Sequence, residues 1–395
     1  MTRLGALAFA ASFFVAAIAH AKVMPLERLP DDKLIALAPL LKHGDVALIE
    51  STPAGAMKQV TLMMYVAAPP EIMHDVIAHP GEYKHVIPNV TRSTWEPSGA
   101  DTGVSAWKIE LPVSSFEMVN AFKFEPGPTG AVFVTSPDPL DDATIRWEFL
   151  PASGGGTVLV QYGYSDVKHS NALVRSFLKR MPVTEHGLAL AAQLLLATNM
   201  RAAAEKRARP GTITPPDAKA RGPGFDFLLA RGQVAVLRSL ESGRLGDVSL
   251  LDRMYAPVSR IGELLSRPAE WGRFVPGVEE SRERARGPGT VEWVADFAVP
   301  LMTWSTGWAM RYAERTYEGV GVSGDLAGAH FQWDLTPRGA GETLVVYRVN
   351  MSLAHSSLLA RKMFQYEPSL EHGLNVAFSL VYLRAIRGKA EGWSN

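Results

Sequence analysis

The chain has 395 residues, 47% of them hydrophobic and 20% charged, and its 40 Lys and Arg balance 40 Asp and Glu. That length has room for two or three globular domains, and balanced charge without a long single-sign run removes the electrostatic footprint for nucleic acid or an anionic bilayer. Cysteine is absent, which excludes disulfides, a lipid-modified N-terminal cysteine and a thiol nucleophile.

The N-terminus reads as an export signal over residues 1–21. Arg3 supplies the positive charge, Leu4 to Ile18 form an uncharged, mostly apolar run, and Ala19-His20-Ala21 is a small-x-small cleavage site. A run of about 15 residues is short of the roughly 20 that span hydrocarbon, which favours cleavage over anchoring. The expectation is an exported product, periplasmic or secreted, soluble after cleavage near Ala21. Residues 22–39 are a polar, proline-marked lead-in.

A first domain is expected over residues 40–205. It opens with a strand, Val60 to Tyr65, that runs into Ala68-Pro69, and proline suits a helix's first turn because its missing N–H would be unpaired there. The helix that follows has Ile72, Met73, Val76 and Ile77 on one face and ends before Pro80; a second turn, Glu82 to Val86, stops at Pro88. Then strands alternate. Trp107, Ile109 and Leu111 oppose Lys108 and Glu110, and Phe116, Met118, Phe122 and Phe124 oppose Ser115, Glu117 and Lys123. Ile145, Trp147 and Phe149 mark another inward face, and Thr157 to Tyr164 a last strand. One apolar face and one wet face describe an antiparallel sheet covered on one side. Pro182 to Arg201 is long enough for a covering helix of five to six turns.

After a Pro- and Gly-rich linker at 206–224, the same order returns in a second domain, 225–390. Leu41 to Ser93 reappears as Leu229 to Ser281 at an offset of 229 − 41 = 188, with Gly44/Gly232, Pro69/Pro257 and Pro88/Pro276 in step. Near the end the offset becomes 355 − 169 = 186, matching His169/His355, Arg175/Arg361 and Glu185-His186-Gly187-Leu188 with Glu371-His372-Gly373-Leu374. A period this long is a duplicated domain, not a solenoid unit. The inward residues of the second copy are Trp293, Ala295, Phe297 and Val299, then Met302, Trp304, Trp308, Met310 and Tyr312, then Phe331, Trp333 and Leu335.

Several patterns carry no chemistry. Gly319 to Gly324 fits G-x-G-x-x-G but leads towards a strand, whereas a nucleotide loop must open a helix; the expectation is a hairpin turn. His74, His79 and His85 have no metal-ligand spacing, and the second copy has Gly262, Arg267 and Arg273 there. No G-x-S-x-G elbow occurs. No metal and no cofactor is expected.

Strand, Ala-Pro helix, and the turn Glu82-Tyr83-Lys84-His85-Val86-Ile87-Pro88-Asn89-Val90, matched by Glu270 to Val278, together resemble the SRPBCC or START-like superfamily, especially its coenzyme-Q-binding and polyketide-cyclase-like branch. The resemblance covers nearly all of both copies. It implies an α+β helix-grip fold, a curved antiparallel sheet around a long C-terminal helix, present twice in tandem. It also implies a cavity for a lipid, sterol, quinone or polyketide-like molecule. A sheet bent around one helix leaves space between them, and a ligand would go there.

The ligand-facing residues expected from the alternation are Trp107, Phe116, Met118, Asn120, Phe122 and Trp147 in the first copy, and Trp293, Met302, Trp304, Trp308, Met310 and Trp333 in the second. Subtracting 188 sets Trp308 on Asn120, so tryptophan should narrow the second cavity while the first stays roomier and more polar. His186 and His372 have two readings: buried and satisfied beside a tight helix-on-sheet contact, which Gly187 and Gly373 suggest, or polar contacts to a ligand head. His169, Arg175, His355 and Arg361 either cap carbonyls and face solvent or gate the cavity. The functional expectation is an exported, non-enzymatic binder or carrier of a hydrophobic small molecule, with transient membrane contact as one use of two domains. The alternatives are a cyclase or dehydrase using His186 or His372 as base, and an interaction module with filled cavities.

Overall fold

A computed structural model describes residues 26–393 apart from 89, 112–113, 137–142, 153, 167–174, 176–177, 180, 209–223, 241–243, 300–301 and 352–367. The expected signal peptide, most of the linker, His169, His355 and Arg361 lie outside the described residues.

In chain order the first copy has α1 (Asp31–Leu37), β1 (Asp45–Ser51), β2 (Met57–Val66), α2 (Pro70–Ala78), α3 (Tyr83–Val86), β3 (Val90–Ser93), β4 (Glu96–Pro97), β5 (Thr102–Leu111), β6 (Ser114–Phe124), β7 (Val132–Thr135), β8 (Ala143–Pro151), β9 (Thr157–Ser165) and α4 (Thr184–Arg207). The second has α5 (Gly224–Arg231), β10 (Gln233–Ser239), β11 (Leu245–Met254), α6 (Val258–Leu265), β12 (Val278–Gly287), β13 (Thr290–Val299), β14 (Met302–Tyr312), β15 (Thr316–Gly324), β16 (His330–Pro337), β17 (Thr343–Asn350) and α7 (Pro368–Glu391). Each copy is thus strands, short helices, an antiparallel run and a 24-residue terminal helix, about 36 Å long, which fits a helix grip.

Two expectations about the strands need correction. Each copy opens with a strand that sequence alternation does not show, β1 and β10. The first six residues of β1 are all buried, so the apolar-polar alternation that marks a half-covered strand is missing. The Gly319 to Gly324 stretch is not a turn but part of β15, and the turn follows it. A Cβ on Gly319 would lie 2.2 Å from the Phe331 ring and one on Gly321 2.2 Å from Leu326 O, so these glycines let the neighbouring strand and turn approach.

By contact density the chain forms two compact units: residues 1–38, 63–170 and 196–217, and residues 39–62, 171–195 and 218–395. These differ from the halves of the repeat, because two stretches of the first copy belong to the second unit.

In the first unit β5 pairs with β3 and β4 on one side, and β5, β6, β7, β8 and β9 follow in antiparallel order. Directly opposed residues share a face. Ser105 opposes Asn120, Trp107 opposes Met118, Phe122 opposes Val134, Val132 opposes Trp147, and Trp147 opposes Gln161. One face therefore carries Ser105, Trp107, Asn120, Phe122, Trp147 and Gln161. The other face of β9 is covered by the lead-in, where Leu29 N donates to Tyr162 Oη at 3.1 Å.

In the second unit the antiparallel order is β1, β10, β11, β17, β16, β15, β14, β13, β12. Helix α7 lies on β11 and β17 and against α6. Strands β1 and β10 pair with Ala47 opposite Ala235, and 47 + 188 = 235, so the pairing is centred on equivalent residues. Local two-fold symmetry follows, the geometry of an isologous contact within one chain. It accounts for the shared glycines. A Cβ on Gly44 would lie 2.3 Å from Leu237 O, and one on Gly232 2.3 Å from Ile49 O, two contacts between equivalent residues related by that two-fold. The same holds at the helices: a Cβ on Gly187 would lie 2.4 Å from Ala377 Cβ, and one on Gly373 2.2 Å from Ala191 Cβ and 2.9 Å from Gly187 O. The tight contact expected of these glycines is helix on helix, not helix on sheet.

Candidate functional site

The inner sheet face of the first unit combines an aromatic cluster with polar groups. The Tyr83 and Trp107 ring centroids are 5.0 Å apart, Trp107 and Phe122 6.2 Å, and Trp95 and Phe122 5.8 Å. Beside them Ser105 is fully buried, donates to Thr94 O at 2.7 Å and accepts from Trp107 Nε1 at 2.6 Å. Asn120 is buried with Nδ2 unpartnered, and Gln161 is buried with both Oε1 and Nε2 unpartnered, among the described residues. His74 on α2 stands edge-on to Phe149 at 5.2 Å, and Phe149 shares the face of Trp147. Its Nε2 is also buried without a partner among the described residues. Burial lowers the His74 pKa, so its imidazole stays neutral.

Those four groups have no counterparts in the second copy. Positions 105, 120 and 74 plus 188 are Trp293, Trp308 and Gly262, and 161 plus 186 is Tyr347. In the second unit Trp293 stacks on Trp308 at 5.9 Å, Trp333 stacks on Tyr347 at 4.0 Å, and Trp271 meets Trp293 at 5.8 Å. Helix α7 adds Phe378 against Trp304 and Tyr382 against Trp271. The void these rings leave is about 20 Å³, room for one water. Gly262 belongs to the same filling, since a Cβ there would lie 2.3 Å from Tyr317 Oη.

The other expected site residues fall as follows. Trp107, Phe122 and Trp147 are buried in the first unit, and Met118 is half-buried. Trp293, Trp304, Trp308, Met310 and Trp333 are buried in the second. The side chains of Phe116 and Met302 lie outside the described residues, and Arg175 is exposed. His186 is fully buried. Its Nδ1 donates to Val183 O at 3.1 Å, leaving Nε2 to accept from Ser51 Oγ at 3.1 Å and Arg384 Nη2 at 3.3 Å. His372 pairs with Ser239 Oγ at the equivalent 3.1 Å. Neither histidine lines the aromatic void. Sequence reading missed Gln161 and His74. Gln161 was legible in principle, as a lone amide at alternate spacing from Leu159 in an apolar strand; His74 was obscured by neighbouring histidines.

No family model and no curated protein matches the chain. Solved structures do. The chain is similar to the di-domain ARO/CYC BexL from the BE-7585A biosynthetic pathway, at 11% identity over 85% of this chain and 98% of that one, with a TM-score of 0.32. It is similar to the Zhui aromatase/cyclase of a Streptomyces species, at 17% identity over 37% and 93%, TM-score 0.30. Human StAR-related lipid transfer protein 5 matches at 15% identity over 51% and 98%, TM-score 0.30.

Proposed function

We propose that the protein is an exported binder or carrier of a hydrophobic small molecule, and that the inner face of the first copy is where the ligand lies. The supporting observation is the set of unpartnered polar atoms there: Asn120 Nδ2, Gln161 Oε1 and Nε2, and His74 Nε2. A buried polar group without a partner costs about 1–3 kcal/mol, so three such side chains, with four unpartnered atoms beside one aromatic face, favour a ligand that supplies both donors and acceptors. An apolar molecule carrying carbonyl and hydroxyl groups fits, as a quinone, sterol or polyketide-like compound does. Its apolar body would bury itself against Trp107, Phe122 and Trp147, at about 25 cal/mol per Å². The aromatic filling of the second copy leaves its inner face room for no more than a water.

Native mass spectrometry of the protein purified from its own host, with organic extraction, tests this. One hydrophobic molecule per chain is expected, and it should be lost when Asn120→Leu and Gln161→Met are combined. No co-purifying molecule, or retention in the double variant, would overturn the reading.

A second reading, a cyclase or dehydrase, rests on one observation. The neutral His74 leaves a buried ring nitrogen on the same face, where a general base would have to sit. Turnover of a bound polyketide-like ring precursor, abolished by His74→Gln with ligand binding kept, would establish it over the carrier.

A further inference from the structure

A second polar pocket, unrelated to either inner sheet face, opens in the second unit. It has a volume of about 460 Å³, and its lining includes Ser51, Arg231, Tyr255, Arg384, Arg387 and Trp393. Two of the arginines are already matched by buried carboxylates: Arg231 with Glu50 at 3.0 Å, and Arg387 with Asp252 at 3.2 Å. Arg384 is different. Its Nε and Nη2 donate to Gln233 Oε1 at 3.2 and 3.1 Å, Nη2 also to Ser51 Oγ at 2.5 Å and His186 Nε2 at 3.3 Å, and Nη1 to Gly55 O at 3.3 Å. Every one of these acceptors is neutral, and no carboxylate among the described residues is paired with this guanidinium. Nη1 carries two N–H groups and spends one of them on Gly55. Burial depresses the Arg384 pKa to about 10, with Arg387 adding to that shift and the Asp252 and Glu185 carboxylates opposing it without being paired with the guanidinium.

The pocket's rim is apolar. Tyr255 is 59% exposed and Trp393 55%, with Arg253 over the first ring at 5.8 Å and Arg387 over the second at 5.4 Å. The duplicated scaffold does not require any of this. The first-copy residues equivalent to Asp252, Tyr255 and Arg384 are Met64, Ala67 and Thr198, from 252 − 188, 255 − 188 and 384 − 186. A feature present in only one of two related halves is not what holds the fold.

We infer that this pocket binds a small-molecule oxyanion, a carboxylate or a phosphate, whose charged end pairs with Arg384 and whose planar apolar body lies on Tyr255 and Trp393. With one N–H of Nη1 left over, Arg384 offers an oxyanion a single charge-assisted hydrogen bond, which a carboxylate or a phosphate oxygen accepts alike, and its neutral partners are not competing charges. Calorimetric titration of the full chain with phenyl phosphate, benzoate and inorganic phosphate tests the assignment. Saturable binding of phenyl phosphate or benzoate is expected, and the tighter of the two identifies the oxyanion. Inorganic phosphate should bind at least tenfold more weakly than phenyl phosphate. Arg384→Gln should weaken the aromatic anion at least tenfold. Because Arg384 also holds Ser51 and Gln233, the exposed pair Tyr255→Ala with Trp393→Ala gives an independent arm. That pair should bring phenyl phosphate down to the affinity of inorganic phosphate without altering the melting temperature. Failure of both aromatic anions to bind at millimolar concentration, equal affinity for phenyl and inorganic phosphate, or unchanged binding in a folded Arg384→Gln protein would overturn the inference.

Discussion

Gln161 and His74 show how single side chains distinguish two copies of one scaffold. Gln161 is fully buried with neither amide atom partnered among the described residues, so in the ligand-free protein it costs stability. Gln161→Met removes the amide at nearly constant volume and should raise unfolding free energy by about 1–3 kcal/mol in ligand-stripped protein, read from denaturant midpoints. A fall would mean the amide is satisfied. His74 gives a pH signature. Its pKa is lowered by desolvation, with Asp75 opposing that shift and His79 reinforcing it. The unfolded chain takes up a proton near pH 6.5 while the native His74 resists it, so the unfolded state binds more protons and stability falls as pH drops below about 6.5. Comparing wild type with His74→Gln between pH 7.5 and 5.5 isolates this contribution. The variant should lose part of the slope, and an identical slope would contradict it.

Among the elements, the α4–α7 crossing is the most sharply constrained. Gly187 and Gly373 sit inside helices, where alanine would normally gain about 1 kcal/mol. A Cβ at Gly187 would lie 2.7 Å from Ala377 Cα and 2.8 Å from its N. Backbone atoms cannot rotate aside, so the helices must separate. Gly187→Ala and Gly373→Ala are each expected to destabilise despite the propensity gain, by about 1–3 kcal/mol as overpacked sites do, with a lowered melting temperature as the readout. By contrast, Gly55 has φ +81° and nothing within 4 Å of a built Cβ, so substitution there is opposed only by backbone strain.

For the whole molecule, the consequence lies in β1 and β10. Their pairing is centred on Ala47 opposite Ala235, so each strand is bonded to its own equivalent. A fragment of residues 225–395 would keep β10 and lose β1, leaving an edge of unpaired N–H and C=O groups. Since β10 matches β1 position for position, a second fragment can supply the missing strand. Dimerisation is therefore expected at micromolar concentration, detectable by light scattering after size exclusion. A stable monomer would show that the edge is tolerated. The same reasoning explains why dividing the chain at the Pro- and Gly-rich linker does not reproduce the compact units: residues 39–62 and 181–195 belong to the unit of the second copy.

The sequence by itself determined the duplication, the order of elements and the inner faces of the half-covered strands. It also determined the difference between Asn120 and Trp308, because period-2 alternation and proline placement are local signals. Only the tertiary structure decided what the shared glycines touch, since Gly187 and Ala377 are remote in sequence and meet through a symmetry that no local pattern encodes. It also decided that His186 and His372 are bonded to Ser51 and Ser239 instead of facing the aromatic void, and that Gln161 and His74 share the face of Trp147. The Arg384 pocket was invisible for the same physical reason. A guanidinium's charge is read from its residue type, but whether that charge is compensated depends on groups that folding brings from distant parts of the chain.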